Sequence, residues 1–216
     1  MNIKNKKVLI TAGPTQEPID PVRYISNHST GKMGMALADA CVRMGAEVIL
    51  IKGPTQVKPE GKDVKMIDVT TAAEMYDACS QYFGESDVII FAAAVADYTP
   101  KHPANTKIKK KENDFTLELV KTKDIAYELG KSKKDGQVTV GFALETDNEM
   151  ENALSKLEKK NLDMIVLNSL QDAGAGFQHD TNKVTIVDKS RNVVKFELKS
   201  KAEVAEDIIS YIQKLP

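Results

Sequence analysis

Four unusual segments of this chain follow apolar runs that read as strands, and the first two combine residue types suited to holding phosphate groups. The first is Ala12–Gly34, AGPTQEPIDPVRYISNHSTGKMG. It ends in Ser29-Thr30-Gly31-Lys32, where a helical pattern begins. Small residues at a helix start leave backbone N–H groups free at the positive end of the helix dipole, which suits an anion. This is not a Walker A loop, because Ser26 stands where the first glycine is required and Met33 where Ser or Thr is required. It is not a dinucleotide fingerprint either, since the first turn reads AGPTQEP rather than GxGxxG. A plain capping loop would use similar residues, but the segment is far longer than an ordinary βα connection, and such loops are usually functional.

The second segment is Ala92–Lys111. Ala92, Ala93 and Ala94 are small enough for a ligand to approach the backbone, and Asp97 follows. Lys101, Lys107, Lys109, Lys110 and Lys111 then sit among Pro100, Pro103 and Asn105. Composition alone reads this as a solvated charge run. As a cationic flap over phosphates it would act by electrostatic stabilisation. The alternation Lys107-Ile108-Lys109 suggests one side that faces protein. The third segment, Phe142–Thr146, carries an aromatic residue that could stack on a base, and the fourth is Asn168–Gly176. Lys156 and Lys160 lie one helical turn apart, on one flank of an apolar face.

Buried strands and helices must position these segments. Lys7–Thr11, Glu47–Ile51, Lys65–Val69, Asp87–Ala92, Val138–Ala143 and Asp163–Leu167 read as strands without polar alternation. Met33, Ala36, Leu37, Ala40, Cys41 and Met44 recur at helical spacing, and Gly45 ends that helix. Thr71 and Glu74 form a capping-box pattern that opens a helix to about Phe83. Met150, Ala153, Leu154 and Leu157 mark another. Gln16–Thr30, with Pro18 and Pro21, reads as loop. Strands alternating with helices predict an α/β fold, a Rossmann-like three-layer sandwich with a mostly parallel sheet. Val184–Val187 and Val193–Leu198 flank Lys189–Asn192 and predict a C-terminal β-hairpin, followed by a helix over about Lys201–Leu215. In such a sheet ligands bind outside the carboxyl ends of the strands, so the four segments should converge there. One domain over residues 1–216 is expected.

Bulk properties remove several classes. Formal net charge is −1, which argues against a dedicated nucleic-acid or membrane-surface protein. No apolar run is long enough for a membrane span. Cys41 and Cys79 fall inside helical patterns beside apolar residues, as buried reduced thiols do. With His28, His102 and His179 scattered, no metal-ligand spacing appears, and no protein metal ligand is assigned.

Taken in order, ITAGPTQEPIDPVRYISNHSTGKMG, AAAVADY, KIKK, LELVKTKDI, GFALET and KKNLDMIVLN resemble the phosphopantothenate–cysteine ligase family, across nearly the whole chain. That family includes the ligase half of the bacterial bifunctional decarboxylase/ligase of coenzyme A synthesis. The resemblance implies attack of the 4′-phosphopantothenate carboxylate on the α-phosphate of CTP, with Mg2+ required, to give an acyl-nucleotidylate and pyrophosphate. The amine of L-cysteine then displaces CMP. It implies that Asn27 holds the acyl-nucleotidylate and that Lys107 is the flap lysine. Phe91, Ala92, Ala93, Asp97, Lys123, Asp124, Ile125, Ala126, Phe142, Lys156 and Lys160 match nucleotide contacts. Lys123 stands where relatives often carry proline, which leaves a backbone contact possible. Arg23, with Ser29, Thr30 and Gly31, is expected to hold the substrate phosphate. A cytoplasmic homodimer is implied, with the C-terminal hairpin extending a sheet across a two-fold axis. The chain would be either a separate ligase or one half of a protein that also carries a flavin-dependent decarboxylase.

Two other readings share the fold. One is an NADP-dependent oxidoreductase, with Lys52 at the 2′-phosphate and Tyr24 or Tyr98 as acid. The other is a nucleotide sensor without catalysis.

Overall fold

The computed structural model describes residues 1–110, 115–145, 147–169 and 179–215. Lys111, Thr146 and most of the fourth segment, Asn168–Gly176, lie outside the described residues. The chain begins with β1 (Lys7–Ala12), β2 (Gln16–Pro18), β3 (Tyr24–Ser26), α1 (Lys32–Arg43), β4 (Glu47–Lys52), β5 (Val64–Asp68) and α2 (Ala72–Phe83). It continues through β6 (Val88–Phe91), β7 (Tyr98–Pro100), β8 (Leu119–Lys121), α3 (Ile125–Gly130), β9 (Val138–Glu145) and α4 (Glu149–Lys159). The last elements are β10 (Met164–Ser169), β11 (Thr181–Asn182), β12 (Val184–Asp188), β13 (Val193–Lys195), β14 (Lys199–Ser200) and α5 (Lys201–Ile212).

The main sheet has eight strands in the order β13-β12-β10-β9-β6-β1-β4-β5. From β10 to β5 every pair is parallel, while β12 and β13 add antiparallel at one edge. The parallel strands run outward in both directions from β1 and β6, which is the doubly wound Rossmann order. The anticipated hairpin is present, but β13 stops at Lys195 and its residues stay exposed.

Strand pleating explains the two cores. Val8, Ile10 and Ala12 of β1 face α1 and α5, in one cluster with Leu37, Cys41, Val204 and Ile208. Leu9 points the other way, among Met75 and Cys79 of α2, Leu129 of α3 and Leu157 of α4. A strand covered on both faces must be apolar at every position, which is why KVLIT shows no alternation. Both thiols are buried, and loss of hydration pushes each up to about 12. They are therefore poor nucleophiles at neutral pH.

Local signals behave as their chemistry requires. Thr71 and Glu74 form the reciprocal capping box of α2, and Ser200 and Glu203 form another at α5. Gly45, with φ of 81°, lets the chain leave α1. The expected loop over Gln16–Thr30 is a correction. It contains a small antiparallel hairpin, in which Gln16 faces Ser26 and Pro18 faces Tyr24. Proline without an N–H is tolerated on such an edge, so Pro18 did not preclude pairing. A second small hairpin, β7–β8, brackets the lysine-rich flap.

Candidate active site

A cavity of about 740 Å³ opens outside the carboxyl ends of the parallel strands. Its floor lies where β1 and β6 diverge. Thr11 Oγ1 accepts from the Ala93 N–H at 3.2 Å, and the Ala94 N–H donates to the Gly13 carbonyl at 2.9 Å. Buried Thr15 accepts from the Ala96 N–H through Oγ1 at 3.0 Å. The exits of the two strands are thus stitched together, and Phe91, Ala92, Ala93 and Asp97 all line the cavity.

Asn27 lies on the same wall. Its Nδ2 donates to the carbonyls of Ala94 and Val95, each at 3.1 Å. Next to it, Ser29, Thr30 and Gly31 lead into α1. Gly31 adopts φ of 79° and has no side-chain cap hydrogen bond, so the start of α1 faces the cavity with small residues. A Cβ on Gly31 would also press on Gly13 Cα at 3.2 Å, so glycine serves here by both shape and conformation.

Lys123, Asp124, Ile125 and Ala126 also line the cavity, with Phe142 of β9 and, from the last turn and C-cap of α4, Lys156 and Lys160. Lys123 Nζ lies 4.2 Å from the centroid of the Tyr76 ring. Asp124 caps α3 by accepting from the Tyr127 N–H, and it pairs with Lys160 at 3.0 Å. Lys156 pairs with Glu145 at 2.5 Å. These acids hold the two ammonium groups in place before any ligand arrives.

Seven lining residues are lysines and two are aspartates. In a chain whose net charge is −1, this is a strong local concentration of positive charge, and a concave site focuses it. Lys32, Lys121, Lys159 and Lys201 were not singled out from the sequence. Lys159 had a signal, because it shares the flank of Lys156 and Lys160. Lys201 had none: it opens the last helix and reaches the cavity only through the fold. Its ammonium donates to the His179 carbonyl. Burial pushes its pKa down and the nearby Lys32 adds to this, against Asp180.

Two expected site residues lie outside the cavity lining. Arg23 is engaged with Asp20, and Lys107 is exposed on the flap. The oxidoreductase reading loses its phosphate ligand, since buried Lys52 pairs with Asp68 at 2.5 Å and does not line the cavity. Tyr98 does line it, and Tyr24 does not. Among the described residues no cluster of three or more His, Cys, Asp or Glu side chains is placed to hold a metal. No described helix is long and apolar enough to cross a membrane.

Residues 3–215 match the model of the DNA/pantothenate metabolism flavoprotein C-terminal domain family. The chain belongs to this family. A protein named coenzyme A biosynthesis bifunctional protein CoaBC, from Bacillus subtilis strain 168, is 48% identical over 214 residues, covering 99% of this chain and 52% of that protein. Another relative, from an unknown prokaryotic organism and named cysteine/cysteine sulfinic acid decarboxylase, is 58% identical over 213 residues, or 99% of this chain and 59% of the relative. The chain therefore spans between half and three-fifths of these relatives. The crystal structure of the C-terminal domain of a CoaBC protein superposes with a TM-score of 0.82 at 43% identity, covering 98% of this chain and 97% of that one. A structure described as a Cab2 mutant in complex with phosphopantothenate-cysteine has a TM-score of 0.76 at 20% identity, a likeness of fold. This family member thus carries its lysine-lined cavity at the switch point of a Rossmann-like sheet.

Proposed function

We propose that this chain joins 4′-phosphopantothenate to L-cysteine through an acyl-nucleotidylate, consuming CTP and releasing pyrophosphate and CMP. The observation that carries this reading is the set of seven lysines lining a cavity that Asn27 also lines. A triphosphate meeting a carboxylate and a second phosphate is a like-charge encounter, and preplaced ammonium groups lower its cost most where water is excluded. The CoaBC relatives and the phosphopantothenate-cysteine complex point the same way.

In this scheme Lys156 and Lys160 exchange their carboxylate partners for the triphosphate. Phe142 and the backbone of Lys123–Ala126 hold the nucleoside. Backbone groups near Ala92–Ala94 recognise the pyrimidine amino group. Asn27 carries both a donor and an acceptor, and by giving up one of the two carbonyls its Nδ2 now meets it can bridge the acyl group and the α-phosphate without adding charge. Ser29, Thr30 and Gly31 receive a phosphate at the start of α1. Mg2+ would arrive with the triphosphate, and exposed Asp97, which lines the cavity, would be a carboxylate available to it. It would neutralise phosphate charge during attack.

Arg23 and Lys107 act in this reading from the hairpin tip and the flap. The enzyme works as a cytoplasmic homodimer, with exposed β13 as the edge available for pairing. Side-by-side turnover of phosphopantothenate and cysteine with CTP, ATP, UTP and GTP tests the assignment. Pyrophosphate and amide formed fastest with CTP are expected. Equal rates with all four would remove the nucleotide preference, and no turnover with any would remove the ligase.

A further inference from the structure

The carboxylate of Asp20 is fully buried at the tip of the β2–β3 hairpin. Its Oδ1 accepts from the backbone N–H groups of Val22 at 2.8 Å and Arg23 at 2.9 Å. Its Oδ2 accepts from Arg23 Nε at 3.1 Å and Nη2 at 2.5 Å. The same Oδ2 takes the N–H of Ile108, in the middle of the lysine flap, at 3.1 Å. Arg23 Nη2 in turn donates to the Ile108 carbonyl at 3.0 Å. Nearby, the Ala104 N–H donates to the Ile19 carbonyl at 2.9 Å. The hydrogen bonds from Arg23 hold the Asp20 carboxyl well below the usual carboxylate range.

We infer that Asp20 is a positioning residue, which with Arg23 clamps Ile108 and so aims the flap lysines on either side of it. An aspartate–arginine pair presents an acceptor beside a donor, as a neighbouring β-strand would. It meets both backbone groups of one residue. The Ile108 N–H belongs to the peptide joining it to Lys107, and the Ile108 carbonyl to the peptide joining it to Lys109. Fixing both peptide planes fixes the directions in which those lysines leave the backbone. The bonds are charge-assisted and the Asp20 carboxylate that accepts them is buried, so they are stronger than ordinary loop contacts. They also tie Arg23 and Lys107 into one unit, although more than eighty residues separate them in the chain. The functional part of this inference rests on the proposed role of Lys107 at the triphosphate.

The test uses the full chain and the variants Asp20→Asn, Ile108→Pro, Lys107→Gln and Asp20→Asn/Lys107→Gln. Asp20→Asn removes the charge at nearly constant shape. Ile108→Pro removes the flap's donor at a half-buried position outside the β2–β3 hairpin, so it remains informative if Asp20→Asn folds poorly. Amide exchange at Ile108 should accelerate about tenfold or more in Asp20→Asn, as expected when a charge-assisted bond is lost, with Ile10 and Ile90 unchanged. Acyl-nucleotidylate formation, read as pyrophosphate release without cysteine, should slow about tenfold in Asp20→Asn and in Ile108→Pro, and less than about twofold when Asp20→Asn is added to Lys107→Gln. Unchanged exchange at Ile108 overturns the clamp. Equal losses with and without Lys107 overturn the positioning role. If Lys107→Gln alone reacts at the normal rate, the role of Lys107 falls, while exchange at Ile108 still decides whether Asp20 holds the flap.

Discussion

Asn27 and Ala94 meet across the mouth of the cavity, the Asn27 Nδ2 donating to the Ala94 carbonyl at 3.1 Å. The bond joins the long loop after β1 to the chain leaving β6, on either side of the point where strand order reverses. Ala94 is itself held by Gly13 through its N–H. The side chain proposed to grip the intermediate is therefore anchored at both levels, by its own amide and by the backbone it touches.

Asn27→Asp should separate the two half-reactions. The aspartate loses both donated bonds and sets a carboxylate against two carbonyl oxygens and the incoming α-phosphate. Some pyrophosphate should still be released, but little amide should form when cysteine is present. Pyrophosphate and acyl-nucleotidylate, each measured with and without cysteine, provide the readout. Normal amide formation would show that Asn27 does not hold the intermediate.

Lys107→Gln should act earlier. The substitution removes the ammonium group and keeps most of the length. Acyl-nucleotidylate formation should fall by about a hundredfold or more, comparable to the loss of one oxyanion donor. Rapid-quench measurement of the intermediate tests this, and a normal rate would return the flap to the status of a solvated charge run.

Asp163 offers a stability prediction away from the cavity. Its buried carboxylate accepts from Lys133 at 2.5 Å, the Thr139 N–H at 2.8 Å and Lys189 at 3.0 Å. Burial alone would raise its pKa, but the hydrogen bonds from Lys133, Thr139 and Lys189 outweigh it and leave the pKa lowered. A lowered folded pKa stabilises above the unfolded value and is lost as pH falls through the folded one. Asp163→Asn should cost about 3 kcal/mol at pH 7, as for breaking a buried ion pair. The gap to the unaltered protein should narrow below about pH 4, where aspartate protonates in the unfolded chain. Urea unfolding at several pH values checks both; a gap independent of pH would refute the charge argument.

Gly53→Ala should disturb the cavity floor from behind. A Cβ there would stand 1.7 Å from the Pro14 carbonyl oxygen, a backbone atom that cannot swing aside. Pro14 bridges to Ala94, so the displacement reaches the turn on which Asn27 rests. A stability loss of about 2 kcal/mol is expected from overpacking, together with weaker CTP binding. Thermal unfolding and nucleotide titration should move together, and an unchanged affinity would mean the floor adjusts independently.

The sequence by itself determined the layers and most of the cavity wall. Short apolar runs such as KVLIT and EVILI, with turn signals beside them, read as strands covered on both faces, and helical spacing from Met33 to Met44 leaves one apolar stripe. Both are local properties of pattern, so they survive without knowledge of partners. The Rossmann-like order then carries loops after successive strands to one edge, which is why the segments holding Asn27, Asp97 and Phe142 were expected to converge, while Asn27 itself stood out only through the family resemblance. Tertiary structure alone decided the rest. Lys201 is distant in sequence from every other cavity lysine, and no local pattern marks a cation at the start of a terminal helix as a lining group. Asp20 lies in the stretch that the sequence marks only as loop, because its value lies in bonds to Ile108, contributed by a segment that only folding brings near. The β2–β3 hairpin was hidden for a related reason. Its pairing satisfies backbone groups across strands of three residues, too short for alternation to register, and its proline is admissible only because the pair stands off the main sheet.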